Sequence, residues 1–230
     1  MGEYGFNELV LEIANNKKSF AEYAFDKQHI SNENTRDVYL STCEKIANIY
    51  LPYGFKYSKS GPHITLKQKS LEFIYKISFG SSHYNIPEKN VVIDVCANIL
   101  SQKYKKWKME NKSELKFRTT NWPFELNEYI FGGTIGNLQK EHKFLSWNIG
   151  ISDTREKEIE NIIESINNLA IPFFNHFENT NQLIHEIENG SINYYFGVPF
   201  DVERIINFYL YLTKMDINER DKVKQKLNIK

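Results

Sequence analysis

The sequence predicts an α+β fold: an antiparallel sheet of about five to six strands, an N-terminal helix, and a C-terminal run of helices packed on one sheet face. Three observations carry this. Strand-like alternation dominates from about residue 55 to 151, helical spacing of apolar residues returns from about 153 to 228, and strands and helices do not alternate as a parallel βαβ winding requires. Neither an internal repeat nor a Gly/Ser linker divides the 230 residues, so one domain, 1–230, is expected.

The N-terminal helical segment covers about 1–51. Leu9 to Ile13 and Phe20 to Phe25 suit short helical pieces, with polar Asn15 to Ser19 between them. From Asn34 to Tyr50 the apolar residues Val38, Leu40, Ile46, Ala47 and Ile49 recur at helical spacing, with Asn34 or Thr35 available as the cap. Pro52 and Gly54 end that helix, and Phe55 to Tyr57 reads as the first strand. After the Ser60-Gly61-Pro62 turn, Ile64, Leu66 and Gln68 alternate with Thr65, Lys67 and Lys69. Phe73, Tyr75, Ile77 and Phe79 then share one face, which predicts a hairpin around Ser70 with these residues on the buried side. Val91 to Leu100 is apolar on both faces apart from Asp94 and Asn98, and belongs at the centre of the sheet. Gln102 to Lys116 reads as a charged loop or short helix, and Tyr129 to Ile135 and Phe144 to Ile151 as two more strands.

In the C-terminal third, Ile159, Ile162, Ile163, Ile166 and Leu169 form one stripe, with Ser152 or Asp153 as cap and Ile171-Pro172 as its break. Phe173 to Glu188 predicts a helix or helical pair ending at Asn189-Gly190. Pro199 opens a helix carrying Val202, Ile205, Ile206, Tyr209 and Leu212, and a last helix covers Ile217 to Leu227.

Lys plus Arg equals Asp plus Glu at 29 each, so no long-range field steers the molecule to nucleic acid or to an anionic membrane. No apolar leader opens the chain and no apolar run is long enough to span a bilayer, so a cytoplasmic protein without membrane partners is expected. Abundant Asn, Lys, Ile and Tyr with sparse Ala and Gly is a bias associated with AT-rich bacterial or phage genomes. Cys43 and Cys96 have neither CxxC nor Cys/His ligand spacing, which predicts reduced, half-buried thiols, no disulfide and no structural metal.

Motifs for catalysis are incomplete, and no catalytic residue, metal or cofactor is assigned. His185-Glu186 begins an HExxH pattern, but Asn189 stands where the second zinc-binding imidazole belongs. Gly132-Gly133-Thr134-Ile135-Gly136 lies between strands and lacks the lysine and helix start of a phosphate loop, so a bulge or close strand approach is expected. Ser81-Ser82-His83 sets hydroxyls beside an imidazole without a nucleophile elbow. An enzyme reading needs groups that meet only in space, for instance His63, His83 and Asp94.

The most distinctive run is Lys103-Tyr104-Lys105-Lys106-Trp107-Lys108. Lysines interleaved with rings suit a nucleic-acid surface, cations on phosphates and rings on bases. The alternative, favoured by the neutral chain and by Glu110 and Glu114 close behind, is a solvated edge whose Trp107 packs inward while the lysines face water. Tyr194-Tyr195-Phe196 is a second aromatic cluster, suited to anchoring a partner or to packing. The leading expectation is a non-enzymatic protein-binding module with a protein partner, of the kind that serves toxin immunity or antiviral defence. An enzyme, and nucleic-acid binding through Lys103 to Lys108, are the alternatives.

Gly54-Phe55-Lys56, placed after a helix and before the strands of Ile64 to Lys69 and Phe73 to Phe79, resembles the bacterial family known as domain of unknown function 4304. Leu169-Ala170-Ile171-Pro172-Phe173-Phe174 is similar to that family's later helical segment. The resemblance spans Asn34 to Glu188; Gln102 to Asn127 and the helices after Pro199 have no counterpart in it. It implies an α+β fold and carries over no catalytic residue, cofactor or substrate.

Overall fold

The computed structural model describes residues 34–67, 72–87, 89–116, 126–192, 195 and 202–228. Helix α1, Thr35–Tyr50, begins where Asn34 accepts a hydrogen bond from the Asp37 amide, so the sequence's own cap sets its start. A 3₁₀ turn at Leu51–Tyr53 and Gly54 at φ +91 then turn the chain into the sheet. The strands are β1 Lys56–Ser58, β2 His63–Lys67, β3 Ile74–Ser81, β4 Val92–Leu100, β5 Tyr129–Thr134 and β6 Trp147–Asn148. They run antiparallel in the order β1-β2-β3-β4-β5, and β6 pairs with the beginning of β4. All six expected strands are present and β4 is central.

The alternation sorts the two faces. Tyr75, Ile77, Ile93, Val95, Ala97 and Ile99 are fully buried, whereas Thr65, Lys76, Ser78, Asp94 and Cys96 on the other face are only half-buried. The helices cover the first face. Ring contacts join Tyr75 to Phe174 at 5.0 Å, Phe73 to Phe177 at 5.5 Å and Phe131 to Phe208 at 5.1 Å, and the buried side of α1 enters the same hydrophobic cluster.

Helix α2, Gln102–Glu110, lies within the segment read as loop or short helix, its first turn capped by Ser101. Gly132 explains the glycine run: at φ +149, a Cβ there would lie 2.1 Å from Asn98 Oδ1 and 2.6 Å from the Ala97 carbonyl, so a bare backbone is required beside β4. The register of this pair also shifts at Ile99/Leu100.

Several boundaries differ from expectation. β6 shrinks to two residues: beyond Ile93 the same edge of β4 is taken by β5, which pairs from Cys96 onward, and at the other end the Asn148 side chain accepts from the amides of Val91 and Gly150, while Phe144 is 78% exposed. Helix α3, Ser152–Ser165, has Ile151 at its cap position and no side-chain cap, in place of Ser152 or Asp153. Pro172 does not end the helical path. A π-turn over Ile166–Ala170 leads directly into α4, Ile171–Asn175, with the Ile171 amide bonded to the Ile166 carbonyl, and this wider turn accommodates a proline that lacks an N–H. Among the described residues three helices follow: α5 Thr180–Glu188, ended at Gly190 with φ +75, α6 Val202–Thr213, and α7 Arg220–Lys226 after a 3₁₀ turn at Ile217–Glu219. The pieces at Leu9–Ile13 and Phe20–Phe25, the Ser70 hairpin tip and Pro199 lie outside the described residues.

Candidate functional site

Among the described residues the sequence-predicted candidates do not assemble into one surface. In α2, Tyr104 and Lys108 are buried and Trp107 is half-buried, an i, i+3, i+4 stripe packed on α6. Trp107 lies 5.8 Å from Tyr104 and 5.7 Å from Tyr211. Lys108 departs from the expectation that the lysines face water: 3% exposed, it donates to the Tyr129 carbonyl at 3.4 Å and lies 4.6 Å over the Tyr104 ring. A buried ammonium is tolerated because carbonyl and ring face replace its water. Lys105 pairs with Glu128 at 3.3 Å, Lys106 pairs with Glu110 at 3.7 Å, and Lys103 faces solvent. The four cations therefore point in different directions. Tyr195 is half-buried, with its ring 4.7 Å from Phe173, while Tyr194 and Phe196 lie outside the described residues.

Two of the three groups considered for an enzyme, His63 and Asp94, are also separated. His63 stands opposite Ser78 on β3 and Asp94 stands opposite Gly80, so β3 lies between them with a two-residue offset and the two are about 12 Å apart across the sheet. The hydroxyls of Ser81 and Ser82 accept from Asn85 Nδ2 at 2.8 Å and from the Tyr84 amide at 3.1 Å, and neither is bonded to an imidazole among the described residues. Both thiols are free. Burial pushes Cys43 up to about 12, and burial, then the Asp94 charge, raises Cys96, so neither is an activated nucleophile. Cys43 is fully buried rather than half-buried and lies on the helix side of the sheet, while Cys96 belongs to the opposite face. Among the described residues no group of His, Cys, Asp and Glu has metal-binding geometry.

Two arrangements were not anticipated. The first is an ordered imidazole. His176 Nδ1 lies 2.7 Å from Glu186 Oε2, Gln182 donates to the other carboxylate oxygen at 3.0 Å, and the Tyr195 hydroxyl is 3.5 Å from His176 Nε2. The carboxylate fixes the ring's orientation and ties α5 to the end of α4.

The second is a cleft of about 460 Å³ where the start of α1, the β1–β2 turn and the turn after β3 meet. Hydrogen bonds build it. The Phe79 amide donates to the Pro62 carbonyl at 2.9 Å, holding the β1–β2 turn against β3, and the Tyr39 hydroxyl donates to the Phe79 carbonyl at 2.6 Å, holding α1 there. Asn85 braces the far wall by bonding Ser81 and accepting from the Val92 amide. Among the described residues the lining includes Arg36, Lys59 and His83 with Ser60, Ser81 and Ser82, and neither Asp nor Glu. In a chain of zero net charge this is a local positive site. Beside it in the same turn, Tyr84 is 84% exposed and Ile86 52%.

Arg36, Lys59 and Tyr84 carried no local signal, because they are far apart in sequence and are brought near one another by the packing of α1 and of the β1–β2 turn against β3; the Asn34 cap and the Ser60-Gly61-Pro62 turn marked two walls without showing that they touch. No protein-family model, curated protein or solved structure matches this chain. No helix among the described residues is long and apolar enough to cross a membrane.

Proposed function

We propose that this chain is a non-catalytic binding protein whose partner is another protein, recognised by the cleft and the adjoining turn at 82–87. One observation carries the reading: a cleft lined by cations and, among the described residues, by neither Asp nor Glu adjoins an almost fully exposed tyrosine and an exposed isoleucine. Arginine and aromatic side chains are the residues that most often dominate protein interfaces, because each offers a large contact area with directed polar groups. The engaged serines and raised thiols favour binding over covalent catalysis, and the divergent lysines of α2 favour a protein partner over a nucleic-acid strand. A role in toxin neutralisation or in defence against phage fits such a module.

The test is quantitative mass spectrometry of proteins retained from native lysate by the immobilised full chain and by three variants. Tyr84→Ser and Arg36→Glu alter exposed side chains of the site, and Lys106→Glu alters an exposed side chain of α2. A partner retained by the wild type and by Lys106→Glu, and reduced at least about tenfold by the other two variants, supports the reading. Equal retention by all four chains refutes it.

A further inference from the structure

Resting on that reading, we propose that the cleft takes a phosphate monoester carried on a side chain of the protein partner. Its charge matches such a group. Arg36 and Lys59 are cations and His83 adds an imidazole N–H, so the wall offers two positive charges and a further donor. A carboxylate brings one negative charge, whereas a phosphate monoester brings about 1.5 to 2 at neutral pH and three acceptor oxygens. The donors match as well: a guanidinium fork for two oxygens, an ammonium, an imidazole N–H and nearby serine hydroxyls. Among the described residues Arg36 and His83 have no hydrogen-bond or ion-pair partner, and Lys59 is held only by Glu44 at 4.0 Å, with both side chains largely exposed. Asp37, in the first turn of α1, is engaged by Asn34 Nδ2 and is not among the described lining residues.

The cleft's size and setting place the phosphate on a larger molecule. A volume of about 460 Å³ holds a phosphate together with the group that bears it. Tyr84, standing exposed beside the opening, supplies contact area for the residues flanking a modified side chain, which a free phosphorylated metabolite does not have.

The first arm titrates the full chain with phenyl phosphate and O-phosphoserine, with benzoate and serine as comparisons, following the His83 imidazole and Arg36 guanidinium by NMR. Expected are saturable shifts at both groups for the two phosphates, at least about tenfold weaker binding of benzoate, and at least about fivefold weaker phosphate binding in Arg36→Gln and Lys59→Gln. No saturable shift up to about 50 mM, benzoate binding as tightly as phenyl phosphate, or indifference to both variants overturns the proposal. The second arm treats the lysate with phosphatase before capture, and loss of the Tyr84-dependent partner is expected. A partner that still depends on Tyr84 but survives phosphatase overturns the inference while leaving the protein-binding reading intact. Arg36-dependent monoester binding, combined with capture indifferent to Tyr84→Ser, supports the chemistry of the cleft and removes the protein partner, which points to a free phosphorylated metabolite.

Discussion

Lys108 and Trp107 show how one local run splits between surface and interior. Trp107 covers Tyr104 and Tyr211, and Lys108 lies between the Tyr104 ring and the Tyr129 carbonyl, while Lys103 and Lys106 project into solvent. Trp107→Ala is expected to cost about 2 to 3 kcal/mol in urea melts, less than a fully buried tryptophan because the ring is half-buried. Lys108→Ala is expected to cost about 1 to 3 kcal/mol, since it removes a buried charge's contacts and leaves the Tyr129 carbonyl without this donor. Lys103→Ala and Lys106→Ala should each stay within about 0.5 kcal/mol. A Trp107→Ala melt coinciding with wild type, together with salt-sensitive binding of labelled single-stranded DNA or RNA by the wild type, would return α2 to a nucleic-acid role.

Among the elements, the C-terminal helices are joined by a polar clamp as well as by their apolar faces. Glu188 at the end of α5 accepts from the Tyr209 hydroxyl of α6 at 2.5 Å and from Lys226 of α7 at 2.8 Å. The Lys226 bond, then the Tyr209 bond, holds the Glu188 carboxyl below its ordinary value. A carboxyl depressed in the folded state contributes stability that is fully present above the unfolded value of about 4.3 and is lost as pH falls through the folded value. Glu188→Gln should therefore lower the melting temperature slightly at pH 7, by the equivalent of less than about 1 kcal/mol for so exposed a pair. The difference from wild type should shrink between about pH 5 and pH 3. A difference that grows as the solution is acidified contradicts the clamp.

At this scale the sequence was most legible where periodicity is strong. Phe73 to Phe79 and Val91 to Leu100 announced both strand and face because every second side chain meets the core, and Asn34 announced the start of α1 because its side chain replaces a missing backbone acceptor. Pro172 misled because a π-turn, absent from any propensity, relieves the conflict that proline creates, and Phe144 misled because β5 takes the stretch of the β4 edge it was read into. The candidate site was scarcely legible. Its cations come from a helix start and two turns whose adjacency is a consequence of the packing of α1 and of the β1–β2 turn against β3, and Lys108 was hidden because burial of a lysine depends on partners that only the fold supplies.

For the whole molecule, one hydrophobic cluster links α1, the sheet and the helices from α3 to α7. With no described layer holding a core of its own, the chain is expected to unfold as one cooperative unit, with tryptophan fluorescence and far-ultraviolet circular dichroism giving coincident urea transitions. Two separated transitions would divide the chain into independent units. The central claim, that partner recognition belongs to the cleft and turn beside α1 and not to α2, is tested most directly by amide hydrogen exchange of the full chain with and without its captured partner. Recognition there predicts slowed exchange at residues 35–40, 59–63 and 81–87, with α2 unchanged; slowed exchange at Gln102–Glu110, with the cleft unaffected, would contradict it.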